Sequence, residues 1–179
     1  QIADFAIDFE ACKSVVKAGN SGRYILKPVL SVIPLIGDAG QRIVGFVDNA
    51  LANGGATVSA QANGQIVRAT PTDATGKFVL YPVPAGNYEL VVNASGRANV
   101  VVTGVPVTTT AFTNVGSETV RLVPPVAASA PATVSGVITV NGATANTGAS
   151  VRALQTLSGG PTVEMGFAAA SATDGAYSL

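Results

Sequence analysis

Three phrases of this chain recur in the same order, and that repeat constrains the fold more than any other feature. "QRIVGFVDN" (41–49), "GGATVSAQA" (54–62) and "TDATGKFVLYPVPAGNYELVV" (72–92) are matched later by "ATVSGVITV" (132–140), "TGASVRAL" (147–154) and "ATDGAYSL" (172–179). The match places Gly136 against Gly45 in the same strand position. Self-similarity of this kind marks one supersecondary unit used more than once. The first copy continues through "PVPAGNYELVV"; the second is followed only as far as its "AYSL".

The unit reads as β-structure. "ATVSAQA" alternates, with Ala56, Val58 and Ala60 on one face, and "NYELVVN" places Tyr88, Leu90 and Val92 on one face. Asn63-Gly64 between "ATVSAQA" and "QIVRAT" is a strong short hairpin signal. Gly45 inside "RIVGFVD" signals a bulge or a close approach. With "KFVLYPV", "NVVVTGVPVT" and "ETVRLV", the first copy has seven short strands at sandwich spacing.

Composition narrows the function. Ten basic and ten acidic residues cancel, and charged residues are only 11% of the chain, well under the usual quarter. No basic cluster is available to neutralise phosphates, so nucleic acid is excluded as an expected partner. His is absent, which removes the commonest general base and metal ligand and every Ser/His/Asp or Cys/His set. One cysteine, Cys12, allows no intrachain disulfide and no CxxC metal site. The longest apolar run, Tyr24 to Gly37, is broken by Lys27, Pro28 and Pro34 and is no membrane span. The start has no basic n-region of a signal peptide. "NGG" and "SGGP" lack the helix and Lys of a phosphate loop.

Four segments result. Residues 1–38 hold the strand "IADFAIDF", helical spacing over "EACKSVVKAG" ending at Gly19, and the strand "RYILKPVLSVI". They are too small to bury a core alone and are expected to pack on partners earlier in the full chain or in the next module. Residues 39–124 are a complete sandwich, 125–131 a stiff Pro/Ala linker, and 132–179 a partial second sandwich. Both ends are expected to interrupt a domain, so adjoining sequence or another copy would supply the remaining strands. The expected fold class is all-β: tandem β-sandwiches with one short N-terminal helix.

The repeat resembles the carboxypeptidase regulatory-like family of transthyretin-like sandwiches, which implies that the tandem sandwiches are Ig-like or prealbumin-like. The resemblance rests on T-D-x-x-G-x-[FY]-x-[FL] followed by P-x-G-x-Y, and covers 41–123 in full and 132–179 in part. It implies that Asp73 and Gly76 shape a turn, that Phe78 and Tyr88 plug the core, and that Gly86 closes the corner admitting Tyr88. Asp174, Gly175 and Tyr177 are the matching residues of the second copy. "DFEACKSVVKAGNSGRYILKPVLSVI" resembles the end of a bacterial lipoprotein domain of unknown function (4382), which implies that 1–38 are the C-terminal end of a preceding β-rich domain in a secreted or outer-membrane-anchored protein. The hydrolases and iron dioxygenases of related fold rely on His, which this chain lacks.

Most candidate sites have plainer structural roles. Cys12 reads as a small buried apolar residue rather than a thiol site or lipid anchor. Asp4, Asp8 and Glu10 read as a solvated strand face rather than a Ca²⁺ site, because no D-x-D-x-D-G loop is present. Asp73 and Asp174 read as Asx-turn residues. Lys27 and Lys77 are poor isopeptide candidates, since Arg42 stands where such repeats carry Lys. Of the aromatics Tyr24, Phe46, Phe78, Tyr81, Tyr88, Phe112, Phe167 and Tyr177, most fall at core phase. Tyr81 is out of phase with Phe78 and Leu80, precedes Pro82, and is the candidate ligand face.

No catalytic residue, cofactor or metal is expected. The sequence points to a structural or adhesive module of a bacterial secreted or cell-surface protein. Its partners would be other copies of itself or adjoining domains at open sheet edges, with assembly into a fibre by strand exchange. The alternative is a polysaccharide-binding accessory module of a larger secreted enzyme.

Overall fold

The computed structural model describes residues 4–9, 15–17, 24–26, 30–35, 40–127, 132–140, 143–144, 149–171 and 173–179. In chain order the strands are β1 Asp4–Phe9, β2 Val15–Lys17, β3 Tyr24–Leu26, β4 Leu30–Leu35, β5 Ile43–Phe46 and β6 Thr57–Ala62. There follow β7 Gln65–Pro71, β8 Lys77–Leu80, β9 Gly86–Asn93, β10 Val100–Val107, β11 Thr113–Val115 and β12 Ser135–Val137. The last are β13 Thr139–Val140, β14 Ala143–Thr144, β15 Ser150–Thr156, β16 Thr162–Ala169 and β17 Ala176–Ser178. The described residues hold no α-helix, only a 3-10 turn at Asn49–Leu51 whose first turn is capped by the Asp48 carboxylate.

Two compact units form: 1–4, 35–131 and 154–165 in one, and 5–34, 132–153 and 166–179 in the other. The first is built on a sandwich. A four-stranded antiparallel sheet, β10-β9-β6-β7, faces a three-stranded sheet, β11-β5-β8, in which β11 runs parallel to β5. Alternation explains the core. Val58 and Ala60 of β6, Tyr88, Leu90 and Val92 of β9, and Val105 and Val107 of β10 are buried with Ile43, Val47, Phe78 and Leu80. Fully burying a Leu or Phe of this kind contributes roughly 1.5–3 kcal/mol. Asn63 and Gly64 both take positive φ, 52° and 70°, in the two-residue β6–β7 turn. That geometry matches the twist of the two strands.

The edges of the larger sheet carry guards against further pairing. β10 contains Pro106 and a register shift between Val102 and Val105. β7 ends at Pro71, carries Arg68, and is shifted against β6 between Ala60 and Gln61. Proline, charge and bulges of this sort discourage strand addition.

In the second unit β1 pairs with β4, β2 with β3, β12 with β17 and β13 with β14. β15 and β16 form a hairpin whose residues 154–165 belong to the first unit. Two expectations change. The helical spacing over 10–19 is not helix where it is described: Val15–Lys17 is a strand, antiparallel to Tyr24–Leu26. Two adjacent β-branched residues and a ready partner strand outweigh a two-turn periodicity. The other residues of that stretch, Cys12 among them, lie outside the described residues. The seventh strand of the sandwich is Thr113–Val115 and not Glu118–Val123. Ser117 takes the Val120 N–H on its hydroxyl and donates its own N–H to the Val120 carbonyl. That closes a turn where a strand was expected, and Leu122 keeps only an isolated parallel bridge to Val47.

Candidate functional site

The first candidate is the corner between β7 and β8. Asp73 Oδ1 accepts from the Thr75 N–H and hydroxyl, both at 2.8 Å, and from the Lys77 N–H at 2.9 Å. The Thr75 hydroxyl, then the Thr75 and Lys77 N–H groups, hold its carboxyl below the ordinary 3.8 against a smaller opposing desolvation. Gly76, at φ 76°, follows, and a Cβ there would stand 2.6 Å from the Val47 carbonyl oxygen. Thr72 is buried and donates its hydroxyl to the Leu51 carbonyl at 2.5 Å. Arg121 Nη1 donates to the Val47 carbonyl at 2.9 Å and to Thr75 at 2.8 Å, and its guanidinium lies 5.2 Å from the Phe46 ring centre. The half-buried Lys77 places its ammonium 6.0 Å from the same ring.

The matching corner of the second copy is built differently. The role of Asp73 as turn opener falls to Ser171. Its N–H donates to the Ala176 carbonyl, its carbonyl accepts from Gly175, and its hydroxyl accepts from Thr173. Asp174 Oδ1 accepts from the Ala176 N–H at 3.1 Å; the Ser171 hydroxyl, then that N–H, lower its pKa. Gly175 is buried at φ 73°, and Tyr177 is half-buried. The repeat is plainest in the strand pairs themselves. Gly45 lies opposite Phe78 in β5–β8, and Gly136 lies opposite Tyr177 in β12–β17. In both, the aromatic ring fills the space a side chain would take.

The second candidate is the β8–β9 corner. Tyr88 is 6% exposed and donates its hydroxyl to the Pro84 carbonyl at 2.8 Å. Burial raises its pKa above the ordinary 10.0. A Cβ on Gly86 would lie 3.4 Å from the Tyr88 ring, an ordinary contact distance, so the ring does not itself demand glycine there.

The third candidate is Tyr81. It is half-buried, and Arg42 stacks on it with its guanidinium carbon 4.6 Å from the ring centre. Arg42 Nε is buried and meets no hydrogen-bond partner among the described residues. Arg68 Nε donates to the carbonyl of the next residue, Pro82, at 3.3 Å. Of the other aromatics, Phe112 and Phe167 depart from core phase, being 51% and 54% exposed.

Sequence reasoning missed a fourth feature. Gln61, on the face of β6 away from the core, is 1% exposed and pairs both ends of its amide with the backbone of Glu164. A shallow cleft lies beside it, lined by Ala62, Asn63, Asn87, Glu89, Pro161 and Thr162. The side chains of Asp4 and Asp8, and Glu10 and Lys27 entirely, lie outside the described residues. Among the described residues no three His, Cys, Asp or Glu side chains stand close enough to hold a metal. None of the described helices is long and apolar enough to cross a membrane.

Residues 42–122, the sandwich, match the family model of the carboxypeptidase regulatory-like domain. Among solved structures, the chain is similar to one from a type II cohesin–X-dockerin complex of Acetivibrio cellulolyticus bearing an N-terminal interface mutation. The two share 17% identity at a TM-score of 0.39. The C-terminal interface mutant of that complex gives 17% identity and a TM-score of 0.37. In each case the likeness covers 47% of this chain and 56% of the other, little more than half of those chains' length. A search of curated proteins gives no match.

Proposed function

We propose that the chain is a non-catalytic structural or adhesive module of a bacterial secreted or cell-surface protein, working without cofactor or metal. The observation that supports this reading is where the polar side chains go. Asp73, Thr72, Tyr88 and Arg121 each spend their hydrogen bonds on backbone or neighbours of their own corner. Such a unit holds shape and spaces what it is joined to. The match of 42–122 to a regulatory-like domain family supports the same reading.

The finer form of the proposal is assembly by strand exchange at β12. In the sandwich, β5 has β8 on one edge and β11 on the other, with Arg42 and Phe46 carbonyls accepting from Thr113 and Leu122. In the repeat, Val134 and Ile138 turn their backbone groups to the β17 side, bonding Leu179 and Gly175. Alternation then points Ser135 and Val137 to the opposite edge. Among the described residues β12 pairs only with β17, and Val134 and Val137 are 59% and 56% exposed. A strand from another copy or an adjoining domain fits that edge. Light scattering on the chain and on Ser135→Pro tests it, because proline removes an outward donor without touching the β17 bonds. Large assemblies that dissolve in the variant are expected; assemblies that persist in it refute the exchange.

A second reading has one observation in its favour. The partnerless Arg42 Nε beside the Tyr81 ring is a donor that a polar ligand would satisfy. A polysaccharide stacking on Tyr81 is the corresponding ligand.

A further inference from the structure

The outer face of the four-stranded sheet is unlike the outer face of an ordinary sandwich. In an antiparallel sheet with one face on the core, the other is normally solvated. Here Ser59, Gln61 and Val91 point away from the core yet are 6%, 1% and 2% exposed. The segment of β16 from Thr162 to Met165 lies on them. Gln61 Nε2 donates to the Glu164 carbonyl at 2.9 Å while Gln61 Oε1 accepts the Glu164 N–H at 2.7 Å. The second Nε2 proton goes to Ser59 Oγ at 3.0 Å, and that hydroxyl is 3.4 Å from the Val91 carbonyl. Asn93 and Asn99 both aim their amide nitrogens at the Met165 carbonyl, at 3.3 and 3.4 Å. Val163 is fully buried although it lies outside the main core cluster.

Three side-chain amides therefore read the backbone of two consecutive residues, as a neighbouring strand would. What they read is an extended chain carrying one small buried apolar residue. We propose that this face is a strand receptor, and that the Thr162–Met165 strand of a second copy occupies it in place of the chain's own. Every copy carries both halves. The bonded residues Gln61 and Glu164 are 103 positions apart, so the same contacts form within one chain or between two. The tethered strand competes at an effective concentration in the millimolar range, so exchange belongs to crowded or surface-arrayed copies. Non-reciprocal exchange would join copies head to tail. This docking uses a sheet face, not the β12 edge, and Ser135→Pro leaves it untouched, so either proposal can fail alone.

The test is complementation between two full-length variants. Glu164→Pro removes the N–H that Gln61 accepts and leaves the receptor vacant. Gln61→Ala breaks the receptor and leaves the strand intact. In a Ser135→Pro background, which removes the β12 edge, each alone should run as one chain of 17.8 kDa in light scattering, and their mixture as a species of twice that mass at concentrations up to about 1 mM. A mixture of two folded variants that keeps the mass of one chain overturns the proposal. A second measurement needs no variant. A free peptide copying 160–167, at several millimolar, should lower hydrogen-exchange protection of 162–165 in the unaltered chain. The same peptide with proline at the Glu164 position should not. Protection unchanged by the first peptide also overturns the proposal.

Discussion

Replacing Gly45 with alanine should be among the most damaging small changes available to this chain. A Cβ at Gly45 would overlap the Val115 carbonyl oxygen and stand 2.5 Å from Cζ and 2.7 Å from Cε1 of Phe78. Carbon atoms rest at about 3.5–4.0 Å, so the ring must retreat by about 1 Å. It has nowhere to go, since Phe78 is 1% exposed and packed in the core. The other obstacle is backbone, held by the parallel pairing of β11 with β5. Overpacking costs about 1–3 kcal/mol, and a clash with both backbone and a locked ring belongs near 3. That lowers the ratio of folded to unfolded chain more than a hundredfold, at about 1.4 kcal/mol per tenfold. Gly136 is the internal control. The nearest atoms to its Cβ would be those of the Tyr177 side chain, at 2.8 Å from Oη and 3.0 Å from Cε1, and Tyr177 is half-buried. The ring can swing outward, so Gly136→Ala should cost less than about 1 kcal/mol. Denaturant titrations of both variants, with hydrogen exchange on β5 and β12, read the difference. A Gly45→Ala chain within about 0.5 kcal/mol of the parent, or equal costs at the two glycines, would refute the packing argument.

Three further outcomes are expected. Tyr88→Phe removes the bond to the Pro84 carbonyl and keeps the ring, so it should lower the unfolding free energy by about 1 kcal/mol in a urea titration. Asp73 is held below its ordinary pKa in the fold, so its contribution is present above about pH 4 and is lost as pH falls through the lower folded value. Denaturation midpoints measured from pH 2 to 6 should fall more steeply for the parent than for Asp73→Asn, and parallel curves would contradict this. Arg121→Ala loses two charge-assisted bonds and the stack on Phe46. It should cost about 2 kcal/mol, visible in the same titration, while Arg121→Lys should restore only part.

The sandwich was legible because its strands alternate and its turns carry their own chemistry. Val58 and Ala60, or Leu90 and Val92, announce a buried face, and Asn63-Gly64 announces a turn. Local periodicity failed where a distant partner decided. Val15–Lys17 reads as part of a helix until Tyr24–Leu26 is set beside it. Glu118–Val123 reads as a strand until Ser117 folds back on Val120. Aligning letters placed Asp174 against Asp73, but the second turn is one residue longer and Ser171 opens it. Gln61 carries no local signal. Its phase on β6 is that of an outward polar residue, and its partner Glu164 lies 103 residues on.

The structural reading stands or falls on whether the Tyr81 face binds a ligand. Calorimetry of the whole chain against a panel of neutral and acidic polysaccharides, repeated with Tyr81→Ala, asks this directly. The account predicts no saturable heat for either protein. Saturable binding by the parent that disappears in Tyr81→Ala would contradict it, and would make the chain a carbohydrate-binding module with Arg42 and Tyr81 at its site.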